Sequence, residues 1–396
     1  MELIGGLLPG KASSQTSRLA PVRGNRSRNL QAMVEALKPM SEDSRSKASR
    51  ELLGFVREEL RVSVQNFMAT LQDLNAIIHQ QVNSQEQSEL LAGILAIDVL
   101  LEIEVNATQL AIFGSYLRLA LINSDQTTVQ SVAAVLGRLV RCGGMITADV
   151  VDREAKKALD WLKSSDTKDA KKYAAVVVLK ELANNAPTIF YNLVDSFTSW
   201  IWSAVRDYSL QIREGAAEAV RSVLEIIAER DSRHNTIWYD HFYDKSLEGL
   251  EIKSSECIHG SLLVIAEILR AQPPLINTKY EMICNNALAL QDHPNRYVRQ
   301  GVVELIPFMA KYRTDIFCQK FGISAIQYVV ASTQKAENAP YCNQAYAALS
   351  KIVRIVGWPF LQRSLSQILQ LIQRTLVYDA TKPHIPESLT CLASIC

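Results

Sequence analysis

From Ser41 onward, apolar positions recur at three- and four-residue spacing, as with Leu179, Leu182, Ala183 and Ala186 in VVVLKELANNA. That is the period of an amphipathic helix. No stretch alternates apolar and polar residues between turn signals, and Gly and Pro are few inside the periodic runs, so no strand is predicted. Short polar breaks separate the runs: NSDQ at 123–126, SSDT at 164–167, RDY at 206–208, QDHPN at 291–295 and ENAP at 337–340. Each places Ser, Asp, Asn or Pro where a helix is capped and begun. The pattern reads as all-α.

One segment, DYSLQIREGAAEAVRS at 207–222, follows an Ile-Arg pair with the small residues Gly215, Ala216, Ala217 and Ala219. Small residues at helical spacing let another backbone come close. The segment also returns along the chain. IREGAAEAV (212–220) matches VRQGVVELI (298–306), with Arg213 on Arg299 and Gly215 on Gly301, and AKKYAAVVVL (170–179) puts Lys172 at the Arg position. VQSVAAVLG, LLAGILAI and CIHGSLLVI follow the same pattern, and RSKASRELL and CNQAYAALS follow it more weakly. The position equivalent to Ala216 falls at 48, 93, 133, 175, 216, 261, 302 and 346, in steps of 40 to 45 residues.

A two-helix repeat of that period belongs to the HEAT/armadillo class. Pro294 in a capping segment and the spacing of Asp207 to Arg213, echoed by Asp166 to Lys172, favour HEAT. The predicted fold is an all-α HEAT-repeat α-solenoid, a superhelix of antiparallel helix pairs. Each pair is too thin to bury its own apolar face, so neighbours stack and share a core. In this frame Gly215, Ala216 and Gly301 let second helices pack closely. Asp207, Arg213, Asp166, Lys172 and Arg299 form a polar ladder between repeats, broken at Arg299, whose Asp292 lies seven residues back rather than six.

The expected organisation is a disordered basic, Ser-rich leader at 1–40, about eight repeats at 41–383, and the start of a truncated ninth at 384–396. The leader is predicted from KASSQTSRLAPVRGNRSRN, which has few apolar residues. The ninth repeat is predicted because a further step from 346 lands on Thr390, and the sequence then stops at Cys396 with Leu392 and Ile395 wanting cover. A solenoid normally ends in a polar capping repeat, so the chain reads as a fragment of something longer.

Lys plus Arg total 42 against 41 Asp plus Glu, so no net charge draws the chain to nucleic acid or an anionic membrane. Seven scattered cysteines without C-x-x-C spacing argue against a disulfide framework and for a reducing, cytoplasmic setting. MELIGGLLPG has no cation ahead of its apolar patch and makes a poor signal peptide. FTSWIWSAV, flanked by Asp195 and Arg206, falls short of the ~18 apolar residues of a transmembrane segment.

Catalytic signatures are missing: no phosphate-binding glycine loop, no H-E-x-x-H and no G-x-S-x-G occurs. No cofactor or metal is predicted, and His259 reads as a satisfied helix histidine rather than a ligand. The cluster RHNTIWYDHFYDK at 233–245 has two readings. Trp238, Tyr239 and His241 form a candidate partner surface, since Trp and Tyr dominate hot spots; alternatively they line the inner face of a first helix.

Beyond the repeat, LLAGILAIDVLL, NAT at 106–108, YLRLAL, VLGRLVRCGG, EAKKALDWL and KYAAVVVLKELANNAPTIFY resemble, in order and spacing, the amino-terminal HEAT region of the target of rapamycin (TOR) protein kinases. IREGAAEAVRSVLEI, WYDHFYDKSLEGL and IHGSLLVIAEILR continue the resemblance, which covers roughly 41–377. RAQPPLINT at 270–278 is short where animal TOR proteins carry a long insertion, so contacts of that insertion do not carry over. The resemblance implies a large serine/threonine kinase as parent, with its kinase motifs outside this chain. It implies docking to a Raptor-type subunit and to the second TOR copy in TOR complex 1, and in animals a share of the surface for a Rheb-type GTPase. It also implies recruitment to the vacuole or lysosome surface through the complex. The competing expectation is an unrelated HEAT adaptor, of the phosphatase-scaffold or transport-receptor type.

Overall fold

The computed structural model describes residues 20–38, 41–164, 166–230, 234–334, 339–377 and 384–395, and among these no strand occurs. The chain divides into two compact units, Met1–Ile146 and Thr147–Cys396.

The first unit holds α1 (Ala20–Glu35), α2 (Glu42–Val62), α3 (Val64–Val82), α4 (Gln87–Leu100), α5 (Ala107–Asn123) and α6 (Gln126–Cys142). Four of these helices, α2, α3, α5 and α6, start at a Ser, Asn or Asp whose side chain caps the first turn. Asn106 Oδ1 accepts from Gln109 N at 2.8 Å, and Asp125 Oδ1 accepts from Thr128 N at 2.8 Å. Each bond satisfies an amide that the first helical turn leaves without a partner. Helices α2, α4 and α6 pack in succession as one layer, and α1, α3 and α5 as the other. Leu52, Leu74, Ile94, Leu117 and Val132 are each fully buried between the layers.

The reading of 1–40 as a disordered leader is corrected over its second half. Helix α1 forms there, and Leu30, Val34 and Leu37 are fully buried against α3 and α4. Those three residues make a helical stripe, too sparse to be conspicuous in a polar segment yet sufficient once a neighbouring pair offers a groove. Arg26 on Glu59 (3.6 Å) and Lys38 on Glu89 (3.0 Å) flank it. Residues 1–19 lie outside the described residues.

The second unit continues the alternation. First-helix positions are α7 (Thr147–Lys163), a broken run of α9 (Pro187–Phe190), α10 (Val194–Trp200) and α11 (Trp202–Val205), then α13 (His234–Glu251) and α15 (Tyr280–Leu288). They end with α17 (Thr314–Ile316) and α18 (Gly322–Gln334) joined by a π turn, and α20 (Trp358–Leu361) with α21 (Leu365–Val377). Second-helix positions are α8 (Asp169–Asn185), α12 (Leu210–Ala228), α14 (Ser255–Ala271), α16 (Arg296–Tyr312), α19 (Ala339–Val356) and α22 (Ile385–Ala393). These six pack in sequence order as one layer.

All eight register positions, and Thr390 after them, fall inside second helices. The repeat inferred from small residues is therefore the physical repeat of the fold, an all-α HEAT-type stack.

Candidate functional site

The loop entering α12 and the first turn of that helix hold two buried charges, Asp207 and Arg213. Arg213 is 3% exposed. Its Nη1 donates to the carbonyls of Asp207 (2.8 Å) and Tyr208 (3.0 Å), and its Nε donates to Nδ1 of His259 in the next repeat (3.1 Å). The Asp207 carboxylate faces the preceding repeat instead, accepting from Lys172 Nζ at 2.9 Å and from Ser209 N at 2.9 Å. The spacing of Asp207 to Arg213 thus marks a guanidinium reading loop carbonyls, not a carboxylate–guanidinium pair.

The same geometry recurs one repeat beyond α14. Arg299 Nη1 donates to the carbonyls of His293 (2.7 Å) and Pro294 (2.8 Å), again six and five residues back. The extra residue between Asp292 and Arg299 does not disturb this loop contact, which needs carbonyls at that spacing and no carboxylate. Asp166 sits exposed ahead of α8, and Lys172 reaches forward to Asp207.

His259 is buried, and its desolvation, followed by the charge of Arg213, pushes its imidazole down to about 4. The neutral ring can accept from Arg213; a protonated one would face a buried guanidinium. Since the folded pKa lies below the unfolded value near 6.5, the unfolded chain takes up the proton first. Stability is complete above about pH 6.5 and is lost as pH falls towards 4, by about 2 kcal/mol between pH 7 and 4.5. Thermal melts across that range should show the loss, and His259→Gln should flatten this part of the profile.

Ala216 is fully buried, and Gly215 and Gly301 sit at close approaches. A Cβ at Gly215 would lie 2.9 Å from Val176 Cγ2 of α8, and one at Gly301 would lie 3.3 Å from His259 Cδ2 and Leu262 Cδ1 of α14. In both cases the neighbour is a side chain of the preceding second helix.

The candidate partner surface on α13 is corrected. Trp238 and Tyr239 are each 6% exposed, and Phe242 and Tyr243 are buried beside them. Trp238 Nε1 donates to Asp195 Oδ1 at 2.7 Å, and its ring packs edge-on to Tyr191. His241 is half-buried, with Nε2 3.2 Å from the carbonyl oxygen of Thr198. These aromatics close the stack between α10 and α13, the inner-face alternative. The periodicity gave no way to tell which face the neighbour would cover.

A groove of about 350 Å³ runs instead across α12, α14, α16 and α19. Leu262, Ala266 and Pro307 contribute to its apolar floor, and charged side chains stand along it. Arg221 grips Glu267 bidentately (2.8 and 2.7 Å), and Arg270 joins at 2.9 Å while lying 4.6 Å over the Phe308 ring. Glu218 pairs with Lys180 at 3.2 Å.

Glu304 is served differently. It accepts from Gln300 at 3.2 Å, and burial pushes its carboxyl up against the weaker pull of that bond and of the Lys351 charge. Glu214 is exposed as a whole residue, yet the apolar surroundings of its carboxyl, then the charge of Glu304, push it up as well. Gln344 Oε1 is buried without a hydrogen-bond partner. Sequence reasoning passed over this groove. Its signal lies in the repeat register, since Glu218 and Glu304 stand two residues after their register positions and Arg221 and Lys351 stand five after theirs.

Among the described residues no three His, Cys, Asp or Glu side chains are placed to hold a metal ion, and no helix is long and apolar enough to cross a membrane. The described cysteines are free.

No protein-family model matches the chain. The serine/threonine-protein kinase tor1 of Schizosaccharomyces pombe is 29% identical over 343 residues, covering 86% of this chain and 14% of that protein. The TOR kinase of Arabidopsis thaliana is 34% identical over 268 residues, 67% of this chain and 11% of that protein. TOR2 of Saccharomyces cerevisiae is 29% identical over 304 residues, 74% of this chain and 12% of that protein. The chain therefore spans only 11–14% of the length of these relatives. Among solved structures, a mutant of the karyopherin Kap121p superposes with a TM-score of 0.56 at 13% identity, over 96% of this chain and 42% of that chain. Kap121p bound to RanGTP gives 0.54 at 12% identity, over 96% and 42%. At such identity the likeness to Kap121p is one of fold. Sequence over most of the chain and the HEAT-type fold together match it to the amino-terminal HEAT-repeat region of the TOR serine/threonine protein kinases, the family to which it belongs.

Proposed function

We propose that this chain is a protein-docking arm of a TOR kinase, a scaffold that binds a Raptor-type subunit and the second TOR copy of TOR complex 1 in nutrient and growth signalling. The observation that supports it is the groove spanning α12, α14, α16 and α19, which combines an apolar floor with oriented charge. Stable interfaces are built from such an apolar centre with a polar rim.

On this reading phosphoryl transfer belongs to the parent kinase and not to this chain. The setting is the cytoplasm, with recruitment to the vacuole or lysosome surface through the assembled complex. A Rheb-type GTPase is a further partner of the assembly, with no residue of this chain assigned to it.

The test is co-purification of the chain with the Raptor-type subunit of the same organism, followed by size-exclusion chromatography. A co-eluting complex is expected. Separate elution at micromolar concentrations of both would overturn the scaffold reading.

A further inference from the structure

We infer that the apolar start of the leader, MELIGGLLPG, docks on this same chain at the corner between α2 and α3, with Leu3, Ile4, Leu7 and Leu8 covering Leu60, Val62, Val64 and Met68. The contact is autoinhibitory in kind, since an apolar partner reaches the corner only by displacing the leader.

The corner offers the surface. Leu60 is 39% exposed, Val62 63%, Val64 68% and Met68 43%. Single apolar side chains in solvent are ordinary, but four within nine residues make a patch. One residue turns the corner and holds them together. Ser63 ends α2, its N–H donating to the Glu59 carbonyl, and begins α3, its hydroxyl accepting from Asn66 N at 3.2 Å. Val64 and Met68 then stand one turn apart on the same face of α3. Charge does not select what covers them, for Arg61 already pairs with Glu58 at 3.5 Å and Arg57 with Glu102 at 3.9 Å. The patch calls for an apolar cover.

The course of α1 brings the leader to this place. Arg26 reaches Glu59 at 3.6 Å, and the same Glu59 oxygen accepts from Thr70 Oγ1 at 3.5 Å. The front of α1 therefore lies beside the end of α2 and the front of α3. Lys38, just past α1, pairs at 3.0 Å with Glu89 in the first turn of α4. Helix α1 thus runs away from the corner, as α3 does, and Ala20 stands about 9 Å ahead of Arg26 on the corner side. Residues 1–19 join the fold at that end. Leu3, Ile4, Leu7 and Leu8 precede Pro9, and KASSQTSR between them and α1 carries no large apolar residue. Leu8 lies twelve residues before Ala20, a linker that spans at most about 40 Å and on the order of 20 Å on average. An apolar segment on a polar linker of that reach, joined beside an apolar patch, meets it at millimolar effective concentration.

The experiment uses the full chain and a fluorescent peptide of sequence MELIGGLLPGK, followed by anisotropy. The leader variant, Leu3→Ser/Ile4→Ser/Leu7→Ser/Leu8→Ser, leaves the corner free and should bind the peptide saturably. Adding Val62→Asp or, separately, Met68→Lys should weaken that binding at least about tenfold. Both side chains are exposed, so each chain should melt as the leader variant does. The wild type, whose own leader competes, should bind the peptide about tenfold more weakly than the leader variant. No saturable binding by the leader variant, binding untouched by the corner substitutions, or equal binding by wild type and leader variant would each overturn the inference. Self-association of the wild type that Val62→Asp abolishes, read by sedimentation, would overturn it too, because a second copy would then be the cover.

Discussion

Gly260→Ala should destabilise the second unit by more than about 3 kcal/mol, because the added methyl group would run into backbone rather than a side chain. A Cβ built at Gly260 collides with the carbonyl oxygen of Val205 and lies 2.9 Å from its carbonyl carbon. The obstacle is the backbone of α11, which cannot turn aside as a side chain does. Relief requires α14 to move away from α11, opening a layer in which Val205, Ile258 and Leu262 are buried. For a unit of about 250 residues, such a loss corresponds to a fall in melting temperature of roughly 6–12 °C. Gly301→Ala is the control. Its neighbours are the flexible ends of His259 and Leu262 at 3.3 Å, so a loss below about 1.5 kcal/mol is expected. Equal effects of the two changes in thermal melts would refute the distinction.

Arg213→Ala should cost about 3 kcal/mol, well beyond a typical surface change. The guanidinium serves two loop carbonyls and the ring of His259, and of these the Asp207 carbonyl and the His259 ring lose their donor where water has little access. An acceptor left buried and unpaired carries its full desolvation cost. Arg299→Ala deletes the same two carbonyl contacts at a half-buried position with no histidine behind it. Water can replace that donor, and a cost of about 1 kcal/mol is expected. Lysine at 213 should restore little, since one ammonium cannot span the carbonyls and His259 together. Urea unfolding of the three variants would measure the order. An Arg299→Ala cost equal to that of Arg213→Ala would show that burial does not set it.

What could be foreseen depended on whether a property repeats. Helices and caps are local, so NSDQ and QDHPN announced Asp125 and Asn295 as caps before any packing was known. The repeat was legible because stacking imposes the same steric demand every 40 to 45 residues. Helix α1 escaped because its apolar residues are few, and only a neighbouring pair makes them a stripe. Trp238 and Tyr239 were ambiguous because an aromatic at a partner surface and one at a repeat interface look identical in one dimension. The groove escaped for a related reason: Glu214, Gln344 and Glu304 are distant in sequence, and only the packing of four helices places them along one cleft.

Gly215, Gly260 and Gly301 show where the division falls. They occupy one column of the repeat, and the sequence by itself determined that a second helix must come close there. Which neighbour comes close was decided only by the tertiary structure: the Val176 side chain at Gly215, the Val205 backbone at Gly260, and His259 with Leu262 at Gly301. Likewise the spacing of Asp207 to Arg213 announced a contact, while the fold chose loop carbonyls and His259 as its partners. The physical reason is that periodicity constrains a helix relative to itself. The identity of the atoms across an interface depends on the offset and tilt of two helices, and those are settled by the packing of every side chain between them.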